Sequence, residues 1–217
     1  MGKTGRSKQA HGSRKIWLVG GTGASVLVLG LLIYWLMRPS PDAVLNAATL
    51  TPRQIRYVAT ELLVNEDLKL RARASEKLIA LGETAVPVLK DVSLNYSDNG
   101  VREAVLKILV AINPNVGADV VGRLAGDQDP QLRRIAILAA AHLPDAQRLP
   151  IMQKAVTDPD TAVRWAAMDS MAARQTANNI PALTQALKDS DITVRRHAAR
   201  TLQNMTGRDY SSQIKRP

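Results

Sequence analysis

Apolar residues recur at steps of three and four along most of this chain. One stripe runs Val101, Val105, Ile108, Leu109, Ile112, and another runs Val194, Ala198, Leu202, Met205. That spacing predicts amphipathic helices, each burying one face. The stripes begin inside a pentad written five times: Asp67–Arg71, Asp98–Arg102, Asp129–Arg133, Asp160–Arg164 and Asp191–Arg195. The arginines at 71, 102, 133, 164 and 195 are spaced by 31 residues throughout. A fixed period of that size predicts a stacked array of helical repeats.

Each pentad opens a helix. Its Asp is an N-cap, because the carboxylate accepts the unpaired N–H groups of the first turn. The Val or Leu three residues on starts the stripe, and the Arg stands beside it at the same height in every repeat. Stacking then predicts a ladder in which Asp67, Arg71, Asp98, Arg102, Asp129, Arg133, Asp160, Arg164, Asp191 and Arg195 hold neighbouring repeats in register. A second Asp precedes the cap by two residues in the last three repeats (Asp127, Asp158, Asp189) and extends it.

Between pentads lie further segments of helical spacing: Ala85–Leu94, Val116–Ala125, Ala146–Val156 and Asn179–Lys188. Pro87, Pro150 and Pro181 fall at or near their starts, where a missing N–H costs least. Thr51-Pro52 opens a corresponding first helix, capped by Thr51 and running to about Val64. The unit is helix–turn–helix, five times, ten helices in all.

The pattern resembles the HEAT-repeat family, in particular the short HEAT-like repeats also found in phycobilin lyases. The resemblance covers about Leu50 to Gly207. It is carried best by Leu81-Gly82-Glu83-Thr84-Ala85-Val86-Pro87-Val88-Leu89 and by Asp158–Ala167. It implies an all-α fold, an α-solenoid of about five helix pairs, and a role as scaffold or binding surface more often than as enzyme. One enzyme of the family, deoxyhypusine hydroxylase, needs paired His-Glu motifs for its iron. None occurs here, and His11 in the basic leader, His142 near the end of the third repeat's second helix and His197 two after a pentad Arg stand apart, so neither a metal nor a cofactor is expected. A bilin-lyase-like activity on the concave surface is the alternative reading.

Ahead of the repeats, Ile16–Met37 has no charged residue over 22 positions. At about 1.5 Å per residue such a helix spans roughly 33 Å, enough for a bilayer core. Trp17 and Tyr34-Trp35 stand at its two ends, where interfacial aromatics belong. Residues 1–15 form a basic, Gly/Ser-rich tail expected in the cytoplasm. The predicted organisation is 1–15 tail, 16–37 transmembrane helix, 38–50 linker, 51–207 repeats and 208–217 C-terminal tail. Five cations precede the span, so the positive-inside rule sets the repeats on the periplasmic side of a bacterial-type inner membrane. The alternative is a cleaved signal peptide, with distant sites near Ala43 or Asn46-Ala47-Ala48. Gly20–Ser25 mimics a phosphate loop, but it lies within the apolar run and lacks the strand and acid that such a loop requires. As Gly20/Ala24 and Gly21/Ser25 it suits close packing of membrane helices.

The net charge of +10 changes less than its size suggests. Residues 1–38 hold six cations and no acid, leaving 23 cations against 19 acids in the rest. The repeats therefore lack the large basic excess of a nucleic-acid-binding array, and protein partners are expected instead, membrane or periplasmic. The absence of Cys excludes disulfides and thiolate chemistry. Phe is also absent, so Ala, Leu, Val, Ile and Met must fill the core.

The residue after each pentad Arg lies off the apolar stripe: Ala72, Glu103, Arg134, Trp165 and Arg196. Stacking makes neighbours in this row neighbours in space, on the face that lines the concave side of HEAT arrays. A Trp in this row, between two arginines, predicts a protein-binding site formed by Arg134, Trp165 and Arg196, since Trp and Arg are enriched at binding hot spots. No catalytic set is expected: spacing suggests no Ser-His-Asp arrangement, and the carboxylates are absorbed by caps and ladder.

Overall fold

The computed structural model describes residues 39–214, of which the compact unit begins at Pro41. The apolar span over 16–37 lies outside the described residues, as does the basic tail. No described helix is long and apolar enough to cross a membrane.

Every regular element among the described residues is helical. Helix α1 covers Pro41–Asn46, α2 covers Pro52–Tyr57 and continues as a π-helical turn over Val58–Leu62, and α3 covers Leu68–Leu81. Then follow α4 (Val86–Asn95), α5 (Asn99–Ile112), α6 (Pro114–Leu124), α7 (Pro130–Ala140) and α8 (Asp145–Ala155). The last three are α9 (Thr161–Ala173), α10 (Ile180–Ala186) and α11 (Ile192–Thr206). Helices α2 to α11 form five consecutive pairs. The pentad helices α3, α5, α7, α9 and α11 each pack on the next, as stacked repeats require.

The caps explain where the helices begin. Thr51 and Gln54 form a reciprocal capping box before α2. Asp67, Asp98, Asp129, Asp160 and Asp191 are extended at the N-caps of the five pentad helices, and each accepts first-turn N–H groups. Gly207, at φ 73°, ends α11 in the left-handed conformation that suits glycine.

The core is aliphatic and sulfur-rich. Leu78, Leu89, Leu106, Leu109, Leu143, Met152, Met168, Met171, Leu183 and Leu202 are fully buried. Small residues let the helices approach. At Gly117 in α6 an added Cβ would lie 2.6 Å from Val110 Cγ2 and 2.7 Å from its Cα, so the close contact of α5 with α6 requires a residue without a side chain.

Four expectations need correction. The segment 38–50 is more than a linker: Val44, Leu45 and Leu50 are buried, and Arg73 reaches back to Asp42 at 2.6 Å. Tyr210 and Ile214 pack on the core, so the segment after Gly207 belongs to the fold at least to Ile214. Pro150 lies inside α8 rather than near its start, because the helix begins at Asp145. His142 lies in the turn after α7, beyond the helix end at Ala140.

Candidate protein-binding surface

The pentad arginines are not equivalent. Arg133 donates Nε and Nη2 to the two oxygens of Asp158, both at 2.8 Å, and Nη1 to the carbonyls of Asp127 and Gln128. Arg164 repeats this with Asp189 at 2.7 and 3.0 Å and the carbonyls of Asp158 and Pro159. The acid in each rung is therefore the one two residues before the next cap, not the cap itself. Asp158 and Asp189 also accept the N–H of the caps Asp160 and Asp191, so one carboxylate orders its own turn and grips the preceding repeat. Burial pushes the Asp158 carboxyl up, but the bonds from Arg133 and from the Asp160 N–H outweigh it and hold it below the usual range.

The ladder is shorter than expected. Arg102 forms no ion pair among the described residues and donates Nε to the Ser93 carbonyl and Nη2 to that of Leu94, at the end of α4. The residue that would face Arg71 is Tyr96 rather than an acid. Arg195 keeps two backbone carbonyls but has no rung carboxylate among the described residues.

The row Ala72, Glu103, Arg134, Trp165, Arg196 runs along the pentad helices. Trp165 is 40% exposed, a large apolar surface for a residue on a packed helix. It lines an open groove with Ala172 of α9 and with Thr193, Arg196, His197, Arg200 and Asn204 of α11. Its ring partner is His197, edge to face at a centroid distance of 4.4 Å and an interplanar angle of 85°. Arg196 belongs to the groove; Arg134 does not line it. Sequence reasoning missed Arg200 and His197. Arg200 is one turn beyond Arg196 on α11, a spacing that places both on one face. His197 stands where Ala104 and Ala166 occupy the same register.

The groove wall on α11 is cationic. Arg196 and Arg200 are exposed and form no ion pair among the described residues. Burial lowers the His197 pKa, the nearby Arg200 lowers it further, and Asp169 opposes both. His197 is therefore neutral at pH 7, and the positive charge of the wall comes from the two guanidiniums. An exposed indole beside unpaired arginines can receive a partner carrying an apolar anchor and acidic groups.

A second polar site was not foreseen. Arg148 of α8 has no exposed surface. It donates to Asp145 at 3.0 Å, to Asn179 at 3.1 Å and to Thr176 at 3.3 Å. Asn179 in turn donates to the carbonyls of Met171 and Arg174. These bonds link the fourth and fifth repeats, and they engage the buried Arg148 guanidinium with partners inside the fold. Among the described residues no three His, Asp or Glu side chains converge as metal ligands.

Residues 118–203 match the family of HEAT repeats. The complex of CpcE and CpcF of phycocyanin lyase from Nostoc sp. PCC7120 contains a similar structure, at 23% identity and a TM-score of 0.51, covering 70% of this chain and 99% of that one. Cex1p is similar at 16% identity and a TM-score of 0.50, covering 90% of this chain and 42% of that one. At these identities the likeness is one of fold. No curated protein matches the chain in sequence.

Proposed function

We propose that this protein is a scaffold that holds a protein partner on the pentad-helix face of its HEAT array. The observation that supports this best is Trp165: exposed, seated on a rigid stack, and flanked across the groove by unpaired Arg196 and Arg200. The array is tethered by residues 16–37 and displayed on the periplasmic side of an inner membrane, a reading that rests on the uncharged span and the cations before it. The partner is then a membrane or periplasmic protein.

The test is a photo-crosslinker at position 165 in native membranes, followed by affinity measurement with the purified crosslinked protein. Trp165→Ala should weaken binding by about thirtyfold, the equivalent of roughly 2 kcal/mol at a hot spot. Arg196→Ala should weaken it less, and Arg134→Ala least, because Arg134 does not line the groove. Unchanged affinity for Trp165→Ala would remove the site. A reporter fused at Pro217 should be active only outside the cytoplasm; activity inside would overturn the topology.

A second reading, an enzyme or enzyme accessory of the bilin-lyase type, draws on the resemblance to the phycocyanin lyase complex. It requires a bilin to occupy the same groove. Visible absorbance acquired by the purified chain on adding a bilin, and lost in Trp165→Ala, would favour it over the scaffold.

A further inference from the structure

The α11 wall of the groove sets an imidazole beside two guanidiniums. Arg196 and Arg200 stand one helical turn apart, about 6 Å along the axis. His197 lines the same groove. Its ring meets Trp165 of α9 edge to face, so the imidazole joins the apolar wall to the cationic one. Helix α11 packs on α9 and α10. From α9, Asp169 favours a charged imidazole; from α11, Arg200 disfavours it, as does burial. Arg196 adds a second exposed cation next to it in the chain. Helix α10 carries no titratable side chain.

An imidazole ordinarily gains its proton near pH 6.5. In the free groove the guanidiniums oppose that gain. An anion docked on Arg196 and Arg200 offsets their charge and attracts the new proton as well. Anion binding and protonation of His197 therefore favour each other, and the coupling is reciprocal. Each unit by which the ligand raises the imidazole's pKa is about tenfold in affinity for the charged form. A neutral or basic ligand gains nothing from the proton. Trp165 adds an apolar contact that a bare phosphate cannot use.

We propose that the groove captures an acidic protein segment with an apolar anchor, and that capture takes up a proton at His197. Binding then tightens as the pH falls from about 7 to about 5, the range in which imidazole charges. This names the partner chemistry and the regulation of the Trp165 site, and it rests on the scaffold reading.

The experiment uses the full chain in detergent micelles and a synthetic peptide, Asp-Asp-Leu-Asp-Asp, blocked at both ends. Aspartate, with an ordinary pKa of about 3.9, stays largely ionised over this range. Affinity by calorimetry should rise about three- to tenfold from pH 7 to pH 5. The His197 ring signals in NMR should titrate at higher pH with the peptide present. Those of His142, which does not line the groove, should not move. Asn-Asn-Leu-Asn-Asn should shift neither. His197→Gln should bind the acidic peptide equally at the two pH values. Trp165-dependent binding that ignores pH, or that still tightens in His197→Gln, would overturn the proton uptake and leave the groove standing. Absence of binding at both pH values, or binding indifferent to Trp165→Ala, would remove the groove and the proposal together. Inorganic phosphate competing as well as the peptide would make this a phosphate site and overturn the protein partner. If His197→Gln does not fold, the His197 titration in the unaltered chain decides.

Discussion

Truncating Arg164 tests whether the rungs hold the repeats together. Its side chain and that of Asp189 are 9% and 5% exposed, so water screens the pair weakly. Arg164→Ala removes two bonds to Asp189, at 2.7 and 3.0 Å, and the bonds to the carbonyls of Asp158 and Pro159 at 2.9 and 3.2 Å. Asp189 then keeps only the N–H of Asp191, at 2.7 Å. Removing one partner of a buried pair costs about 3–5 kcal/mol, chiefly through the charge left behind; the slight exposure puts the expected loss near the lower end, about 3 kcal/mol. For a domain of this size that corresponds to a fall of roughly 6–12 °C in Tm. The assay is thermal unfolding of the full chain in detergent, followed by circular dichroism at low and high salt. Asp189→Ala and the double variant complete a cycle. The double variant should lose far less than the two singles together, because removing both partners leaves no buried charge. A surface pair would weaken with salt; this one should not. An unchanged Tm for Arg164→Ala, or strict additivity in the cycle, would refute the ladder.

Other perturbations follow from the same geometry. Gly117→Ala should destabilise by about 1–3 kcal/mol in urea unfolding despite the higher helix propensity of Ala, since its Cβ meets the α5 backbone at Val110. Asp129→Ala loses only a cap, so its cost should stay near about 1 kcal/mol, below that of Arg164→Ala. Asp158 titrates below the usual range in the fold, so its stabilisation is complete above its ordinary pKa of 3.8 and is lost as pH falls through its folded value. Acid unfolding followed by circular dichroism should therefore begin at higher pH in Arg133→Ala than in the unaltered chain. His197 is held neutral by burial, so its contribution is present above its ordinary pKa of 6.5 and declines as pH falls below it. His197→Ala should flatten the Tm profile between about pH 7 and pH 5.

The fold was legible because the period was. A cap, a stripe and a flanking Arg recurring every 31 residues leave one arrangement that satisfies all of them, and the five capped helices begin where the pentads place them. What the period could not predict was which acid completes a rung. Asp129 and Asp127 are two residues apart, yet the carboxylate of the cap must turn inward to its own N–H groups and is not available to a neighbour. The departures from the repeat were also hidden. Arg102 donates to carbonyls rather than to an acid, and only three-dimensional packing decides between them. The edges of the array misled for another reason. Residues 41–50 and 208–214 lie outside the 31-residue period and are too short to show a long stripe, although Val44, Leu45, Leu50, Tyr210 and Ile214 suffice to settle on the core.

The register that holds Gly117 shows why the candidate surface is where it is. One period later the same register is Arg148, and one later still Asn179. Between the second and third repeats a missing side chain brings the helices together. Between the fourth and fifth, a buried guanidinium and a buried amide meet at 3.1 Å. The last repeat is thus held by directional polar bonds, Arg148 to Asn179 and Arg164 to Asp189, beside buried apolar residues such as Met171 and Leu183. Directional bonds fix orientation more sharply than apolar packing does, because their strength falls steeply with angle. The groove needs that precision: its Trp165 wall belongs to the fourth repeat, and its Arg196, His197 and Arg200 wall to the fifth. A small rotation of one repeat on the other would part Trp165 from His197. The polar junction, invisible as chemistry, is what makes a two-repeat site geometrically definite.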